Sequence, residues 1–132
     1  MCFNNLNRKH QEFVEISNES NNSKQFRIKL CNTFGSKLKG LMIQKTLSED
    51  EGIILVNKKG SKVDASIHMM FMNFDLTVLW LDKDLVVVDK VLAKKGVKFY
   101  FPKVPAQYVI EVHQNLYHNF SIGDKLMISQ IL

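Results

Sequence analysis

The most apolar segment of this chain reads SIHMMFMNFDLTVLWLD and covers residues 66–82. We predict two strands in it, residues 66–72 and Leu76–Leu81, separated by the polar residues 73–75. At its end, Asp82, Lys83 and Asp84 form a tight turn before the next apolar run. We expect the domain to fold around this segment.

Further strand patterns lie on both sides of it. Residues 25–31 alternate between apolar and polar side chains, which is typical of a half-buried strand. Gly52–Val56 is a short continuous apolar run, the pattern of a strand buried on both faces. The predicted strands are therefore residues 12–17, 25–31, 52–56, 66–72, 76–81, 85–93, 108–112 and 125–132.

Helical patterns are short and few. Phe34, Leu38 and Leu41 recur at i, i+4 and i+7 after a capping side chain at position 32 or 33, which predicts one helix. Residues 115–121 predict a single further helical turn, ended by Gly123. The fold class is thus mostly β (α+β): a small open barrel or a two-sheet antiparallel domain with one or two short helices.

Length and composition limit the domain organisation. The 132 residues suit one domain, and the hydrophobic fraction of 45% is that of a globular protein. We predict a flexible leader at residues 1–10 and a single β-rich domain at residues 11–132. The leader lacks the apolar core of a secretory signal, residues 67–81 are too short and too polar to span a bilayer, and only two cysteines occur. These features predict a soluble, cytoplasmic protein.

The chain is basic, with a formal net charge of +5. A positive protein attracts anions generally, including nucleic acid and anionic lipid. Here the lysines are dispersed, and arginine occurs only as Arg8 and Arg27. Nucleic-acid binding usually requires a basic stripe or cluster, so this distribution of charge argues against it.

His68 is the most distinctive polar residue of the central segment. A histidine in an apolar strand needs a hydrogen-bond partner or a place at the rim of the core. It could act as a general base or contact an anion together with Asp75 or Glu111. The alternative, which we favour, is a histidine that bonds a backbone carbonyl or points to solvent.

Residues 94–105 form the best candidate binding surface. Lys98, Phe99 and Tyr100 stand in a loop that also contains Phe101 and further lysines. Aromatic side chains among lysines can stack on a ligand or line a groove. They can equally pack their rings onto the domain while the lysines remain in water, and this second interpretation is favoured.

No metal site or cofactor is predicted. His113 and His118 are five residues apart, which is not the i, i+4 spacing of a two-histidine zinc site. Neighbouring methionines, such as Met69 and Met70, point to opposite faces of a strand and so cannot converge on one ion. Glycine-rich phosphate loops and nucleophile elbows are absent from the sequence.

Several short motifs occur in an order that resembles a known family. They are Gly40-Leu41-Met42, Glu51-Gly52, residues 66–72, residues 78–82, Tyr108-Val109-Ile110-Glu111 and Gly123-Asp124. Their succession is similar to that of the domain of unknown function family 192, small proteins mainly from bacteria and archaea. The resemblance covers about residues 25–130 and implies a compact β-rich fold. It implies no agreed activity, cofactor or substrate.

Three functional hypotheses remain. The first is a non-catalytic domain that binds a protein, a peptide or an anionic ligand, with His68, Asp75, Lys98, Phe99, Tyr100 and Glu111 as candidate contact residues. The second is a small hydrolase-like enzyme that uses His68 with a carboxylate. The third and weakest is nucleic-acid binding through the dispersed lysines.

Overall fold

The computed structural model describes residues 13–20, 25–31, 46–57 and 60–130. The predicted leader and the helix predicted after residue 32 lie outside these ranges. The described elements are β1 (Phe13–Asn18), β2 (Phe26–Cys31), β3 (Gly52–Val56), β4 (Leu76–Leu81), β5 (Val87–Ala93), β6 (Tyr108–His113), a 3-10 helix (Gln114–Asn119) and β7 (Leu126–Gln130). The predicted mostly β fold class and the short helix after residue 113 are confirmed.

The strands form one mixed sheet in the order β5-β4-β6-β3-β2-β1-β7. Neighbours are antiparallel except β2 and β3, which run parallel. The sheet curls until the start of β7 approaches the start of β5, where Val86 and Lys125 form an isolated bridge. No regular ladder joins these two described strands, so the curled sheet is not a closed barrel.

Strand β4 is the most buried element of the sheet. All six of its residues are buried, and it pairs with β5 along one edge and with β6 along the other. Because side chains alternate along a strand, Leu76, Val78 and Trp80 face one side of the sheet while Leu79 and Leu81 face the other. The sequence prediction that Leu76–Leu81 is a central strand is confirmed.

Two hydrophobic cores result, one on each side of β4. The inner core fills the concave side of the curled sheet, and every strand contributes to it: Val14, Ile16, Ile28, Ile54, Leu79, Leu81, Val87, Ile110, Val112 and Leu126, with Leu116 and Phe120 from the helical region. The outer core lies on the convex side of β3 to β6. Loop residues cover it, among them Leu47, Ala65, Ile67, Met69 and Ala106.

The prediction of a strand at residues 66–72 is wrong. The segment has a single isolated bridge, from Ile67 to Tyr100, and then turns at residues 70–71. Burial does alternate along the segment, since Ile67 and Met69 are buried while their neighbours are not. However, β5 and β6 already occupy both edges of β4, so the segment lies across the outer core as a loop.

Gly52 lies where β3 leaves no room for a side chain against β6. A Cβ atom at this position would lie 2.6 Å from the backbone oxygen of Glu111 and 2.7 Å from Cγ1 of Val112. Distances below 3.0 Å to backbone force the strands apart. The junction of β3 with β6 therefore requires a residue without a side chain.

We expect Gly52→Ala to lower the free energy of unfolding by about 1–3 kcal/mol, the usual cost of overpacking a tight site. Chemical denaturation measures this change. Ser129→Ala, an exposed position on β7, is the control and leaves stability nearly unchanged. Equal stability of Gly52→Ala and the wild type would show that the strands have room to separate.

Candidate functional site

Two loops cover the outer core and carry most of the residues singled out in the sequence. The first covering loop consists of residues 61–75, between β3 and β4, and the second consists of residues 94–106, between β5 and β6. The first buries Ala65, Ile67 and Met69. The second buries Ala106 and packs Tyr100 against the same cluster.

Backbone hydrogen bonds join the two covering loops. The Ile67 amide donates to the Tyr100 carbonyl at 3.0 Å, and the Tyr100 amide donates back to Ile67 at 2.8 Å. The Met69 amide donates to Val97 at 3.0 Å, and the Gly96 amide donates to Met69 at 2.7 Å. This pairing directs the side chains of Ile67, Met69 and Tyr100 towards the outer core. Because side chains alternate along paired segments, those of the residues next to them point away from the core.

Polar side chains of the sheet hold both loops to the core. The Trp80 indole donates to the Ala65 carbonyl at 2.8 Å. The buried Asp89 carboxylate accepts the Lys103 amide at 2.8 Å and the Lys90 amide at 2.9 Å. The amide group of Asn57 donates to carbonyls of both loops, at residues 61 and 106. Hydrogen bonds made in a low-dielectric interior are costly to break, so these contacts fix the loops in place.

Asp89→Ala should weaken the attachment of the second covering loop. Alanine has no side-chain acceptor, so the Lys103 amide loses its partner at a cost of about 1–3 kcal/mol. We expect trypsin to cleave after Lys98 and Lys103 faster than in the wild type. The exposed substitution Asp84→Ala should leave the cleavage rate unchanged, and an unchanged rate in Asp89→Ala would contradict the anchoring role.

His68 is half-buried and lies between two buried neighbours. Its ring packs edge-on against Phe99, with 6.5 Å between ring centroids. Its Nδ1 atom is buried and has no hydrogen-bond partner among the described residues. The structure therefore brings His68 together with Phe99, and no hydrogen bond in the described part of the chain joins it to Asp75 or Glu111.

The aromatic run at residues 99–101 divides between surface and core. Phe99 and Phe101 contact each other at 6.0 Å and are 51% and 55% exposed. Tyr100 is half-buried, and its hydroxyl accepts the Lys94 amide at 2.9 Å. Lys98 is exposed. Of the predicted binding residues in this loop, Lys98 and Phe99 thus face solvent and Tyr100 supports the loop.

Exposed apolar side chains are concentrated on the two covering loops. Of the eight large apolar residues that are exposed in the described chain, six lie there: Val63, Phe71, Val97, Phe99, Phe101 and Val104. The outer side of the covering loops, with Lys98 among these residues, is called the aromatic–lysine surface below. Phe71 was not singled out from the sequence, because it stands among apolar residues that are buried or half-buried. Only its position in a turn makes it exposed.

Asp75 is engaged with the second covering loop. Its carboxylate accepts the Lys95 amide at 2.8 Å and lies 3.3 Å from Nζ of Lys94. The backbone hydrogen bond from Lys95, helped by the charge of Lys94, lowers the pKa of Asp75 below its ordinary value. Asp75 is therefore ionised at neutral pH and joins the ends of the two covering loops.

A lowered pKa in the folded state means that ionised Asp75 stabilises the fold at pH values above the ordinary pKa of 3.8. This contribution is lost as the pH falls through the lowered folded-state pKa. We expect the melting temperature of Asp75→Asn to lie below that of the wild type near neutral pH. The gap should narrow steadily under acidic conditions, and a gap independent of pH would contradict the assignment.

Glu111 and His113 lie further along the convex side of the sheet. Glu111 pairs in register with Ile53 of β3 and Val78 of β4. Nδ1 of His113 accepts the Asn115 amide at 3.0 Å, which starts the 3-10 helix. A small pocket of about 160 Å³ is lined by Thr46, Leu47, Phe74, Asp75, His113 and Gln114. Asp75 is the one predicted site residue in that lining.

Neither a metal group nor a membrane-crossing helix is found in the described residues. Three or more His, Cys, Asp or Glu side chains do not come together there in an arrangement that could hold a metal ion. Within the same residues, no helix is both long and apolar enough to cross a bilayer.

Comparison with known families gives a match over most of the described domain. The model of the DUF192 family, described as an uncharacterized ACR, matches residues 15–128. This chain belongs to the DUF192 family. The resemblance found in the sequence motifs is therefore confirmed, and the match includes β2 to β6 in full and most of β1 and β7.

Archaeal relatives of this DUF192 chain carry the name UPF0127. The protein TK1120 of Thermococcus kodakarensis is 37% identical over 103 residues, which cover 78% of this chain and 64% of that protein. The protein PH1112 of Pyrococcus horikoshii is 32% identical over 114 residues, 84% of this chain and 96% of that protein. The chain thus spans less than two thirds of the Thermococcus protein and nearly all of the Pyrococcus one.

Two solved structures share the DUF192 fold. A protein of unknown function from Novosphingobium aromaticivorans has a TM-score of 0.76 and 23% identity, covering 87% of this chain and 83% of that one. A candidate transcription regulator from Sinorhizobium meliloti has a TM-score of 0.77 and 19% identity, covering 89% and 93%. At these identities the likeness establishes a common fold.

Proposed function

We propose that this DUF192 domain is a binding domain and that the aromatic–lysine surface is its contact surface. The observation that carries the proposal is the concentration of exposed phenylalanine and valine on the two covering loops. Contiguous apolar patches on a protein surface commonly mark sites of interaction. Within this set, Phe99 and Phe101 are in direct contact, with 6.0 Å between their ring centroids.

The charge of the covering loops favours an anionic partner. Residues 61–75 and 94–106 contain five lysines, Lys62, Lys94, Lys95, Lys98 and Lys103, and two aspartates, Asp64 and Asp75. Asp75 is paired with Lys94. The loops keep a net positive charge, and the exposed Lys98 adjoins Phe99 in the chain. This combination suits a ligand with both a negative and an apolar part.

The covering loops are anchored in the outer core, and this supports a binding role for the residues exposed on them. Ile67, Met69 and Trp80 fix the inner side of the loops in the outer core. A surface that is already ordered loses little conformational entropy when it meets a partner. The proposed contact residues are thus held in position by a hydrogen-bonded framework.

The enzyme hypothesis has less support. His68 forms no hydrogen bond with a carboxylate in the described residues, and its ring contact is with Phe99. A general base needs a proton to accept and a group that orients it. Among the described residues, the surroundings of His68 are those of an aromatic contact surface.

The proposal is tested by NMR titration of the full chain with anionic probes of different classes. We suggest an acidic peptide of alternating glutamate and phenylalanine, single-stranded and duplex DNA, and lysophosphatidylglycerol micelles. Duplex DNA is included because a structural neighbour is described as a candidate transcription regulator. At least one probe should shift amides at residues 68–71 and 96–104.

The double variant Phe99→Ser with Phe101→Ser should abolish these shifts, because it removes the two exposed rings that contact each other. Ile122→Ser is the matched control, since Ile122 is 57% exposed but lies outside the covering loops. Failure of every probe to perturb the covering loops, or shifts that persist in the double variant, would refute the proposed function.

A further inference from the structure

We infer that the aromatic–lysine surface docks on an anionic lipid surface, with Phe71, Phe99 and Phe101 entering the interface between headgroups and acyl chains. This inference rests on the proposed function and specifies its partner. Four features of the described residues favour a lipid surface over a peptide or a nucleic acid. They are the outward projection of the apolar side chains, the presence of valines among them, the exposed lysines, and the backbone conformation of Phe71.

The apolar side chains of the surface project outward. Phe71 is 72% exposed, and Phe99 and Phe101 are each about half exposed. Peptides and small ligands are usually held in clefts that enclose their side chains. Projecting rings instead suit a soft, deformable medium into which they can insert.

The aliphatic members of the surface argue against a nucleic-acid partner. Val63 is 72% exposed, and Val97 and Val104 are 38% and 42% exposed. Bases stack on aromatic side chains and on arginine, and a valine offers neither a flat face nor a charge. The covering loops also contain no arginine. Phenylalanine and lysine are residue types that occur at membrane interfaces, and the valines add apolar area beside them.

The lysines are placed to contact lipid headgroups. Lys95, Lys98 and Lys103 alternate with the apolar residues of the second covering loop and are exposed. The one ion pair of the covering loops in the described residues joins Lys94 to Asp75. Long lysine side chains can extend their ammonium groups to phosphates while their stems lie along apolar surface.

The backbone at Phe71 carries a conformational cost that burial does not explain. The Met72 amide donates to the Met69 carbonyl at 3.2 Å, which closes a turn with Phe71 at its third position. Phe71 has φ of 71°, a left-handed conformation in which turns normally place glycine or asparagine. A binding role for the ring would explain why the chain keeps a strained backbone conformation that exposes it.

The inference is tested by flotation of the full chain with vesicles. One set contains equal parts of phosphatidylcholine and phosphatidylglycerol, and the other contains phosphatidylcholine alone. We expect binding to the anionic set, weakened by added salt, and little binding to the neutral set. Equal binding to both sets, or none to the anionic set, would overturn the lipid assignment.

Three variants separate ring insertion from charge and from stability. Phe71→Asn should weaken partitioning roughly tenfold, the effect of withdrawing a partly inserted phenyl ring. Because asparagine tolerates the left-handed conformation, its melting temperature should equal or exceed that of the wild type. The double variant Lys95→Gln with Lys98→Gln should weaken partitioning about 25-fold on anionic vesicles. The control double variant Ile122→Ser with Lys83→Gln should partition like the wild type.

The outcomes distinguish the lipid inference from the proposed function. If Phe71→Asn partitions like the wild type, insertion of the ring is wrong. If the acidic peptide or DNA shifts the covering-loop amides while anionic vesicles do not bind, the lipid assignment fails and the binding function stands. If neither vesicles nor any other probe engages the covering loops, both fail.

Discussion

Strand β4 is covered on both faces and paired along both edges, and this arrangement determines the rest of the structure. Its six residues are buried, so apolar groups must cover the convex side of the sheet as well as the concave side. The concave side is filled by the curl of the sheet itself. The convex side has no second sheet in the described residues, and the two covering loops perform that task.

A loop that covers a core has an inner and an outer side, and the two sides here have different chemistry. Ile67, Met69 and Tyr100 supply the inner side. Phe99, Phe101 and the lysines lie on the outer side, where burial in this chain does not stabilise them. The exposure of the rings thus follows from alternation in loops whose inner residues are fixed by the core.

Much of the fold could be predicted from the sequence, because Leu76–Leu81 and Gly52–Val56 carry the apolar runs of buried strands. Residues 66–72 show the alternation of a strand, but β5 and β6 already occupy both edges of β4, the strand that follows this segment. That competition depends on long-range pairing of β4 with β6, which no local pattern encodes. The apolar pattern thus correctly marked this segment as one around which the domain folds, but the predicted element was wrong.

The candidate site was predicted in part. Composition indicated Phe99 and Lys98 as candidate contact residues. That Tyr100 packs on the core while its neighbours face solvent depends on its pairing with Ile67, which composition does not reveal. Phe71 could not be found, because a positive φ at a phenylalanine contradicts its intrinsic preference. Asp75 was proposed beside His68, whereas its carboxylate bonds the Lys95 amide.

Because backbone hydrogen bonds join the covering loops, we expect them to be a rigid part of the folded domain and not a mobile flap over an apolar sheet. Native-state hydrogen exchange of the Ile67, Met69 and Tyr100 amides measures this rigidity. These amides should exchange nearly as slowly as that of Val78 in β4, through global unfolding. Exchange at the rate of unprotected amides, with Val78 still protected, would contradict the account.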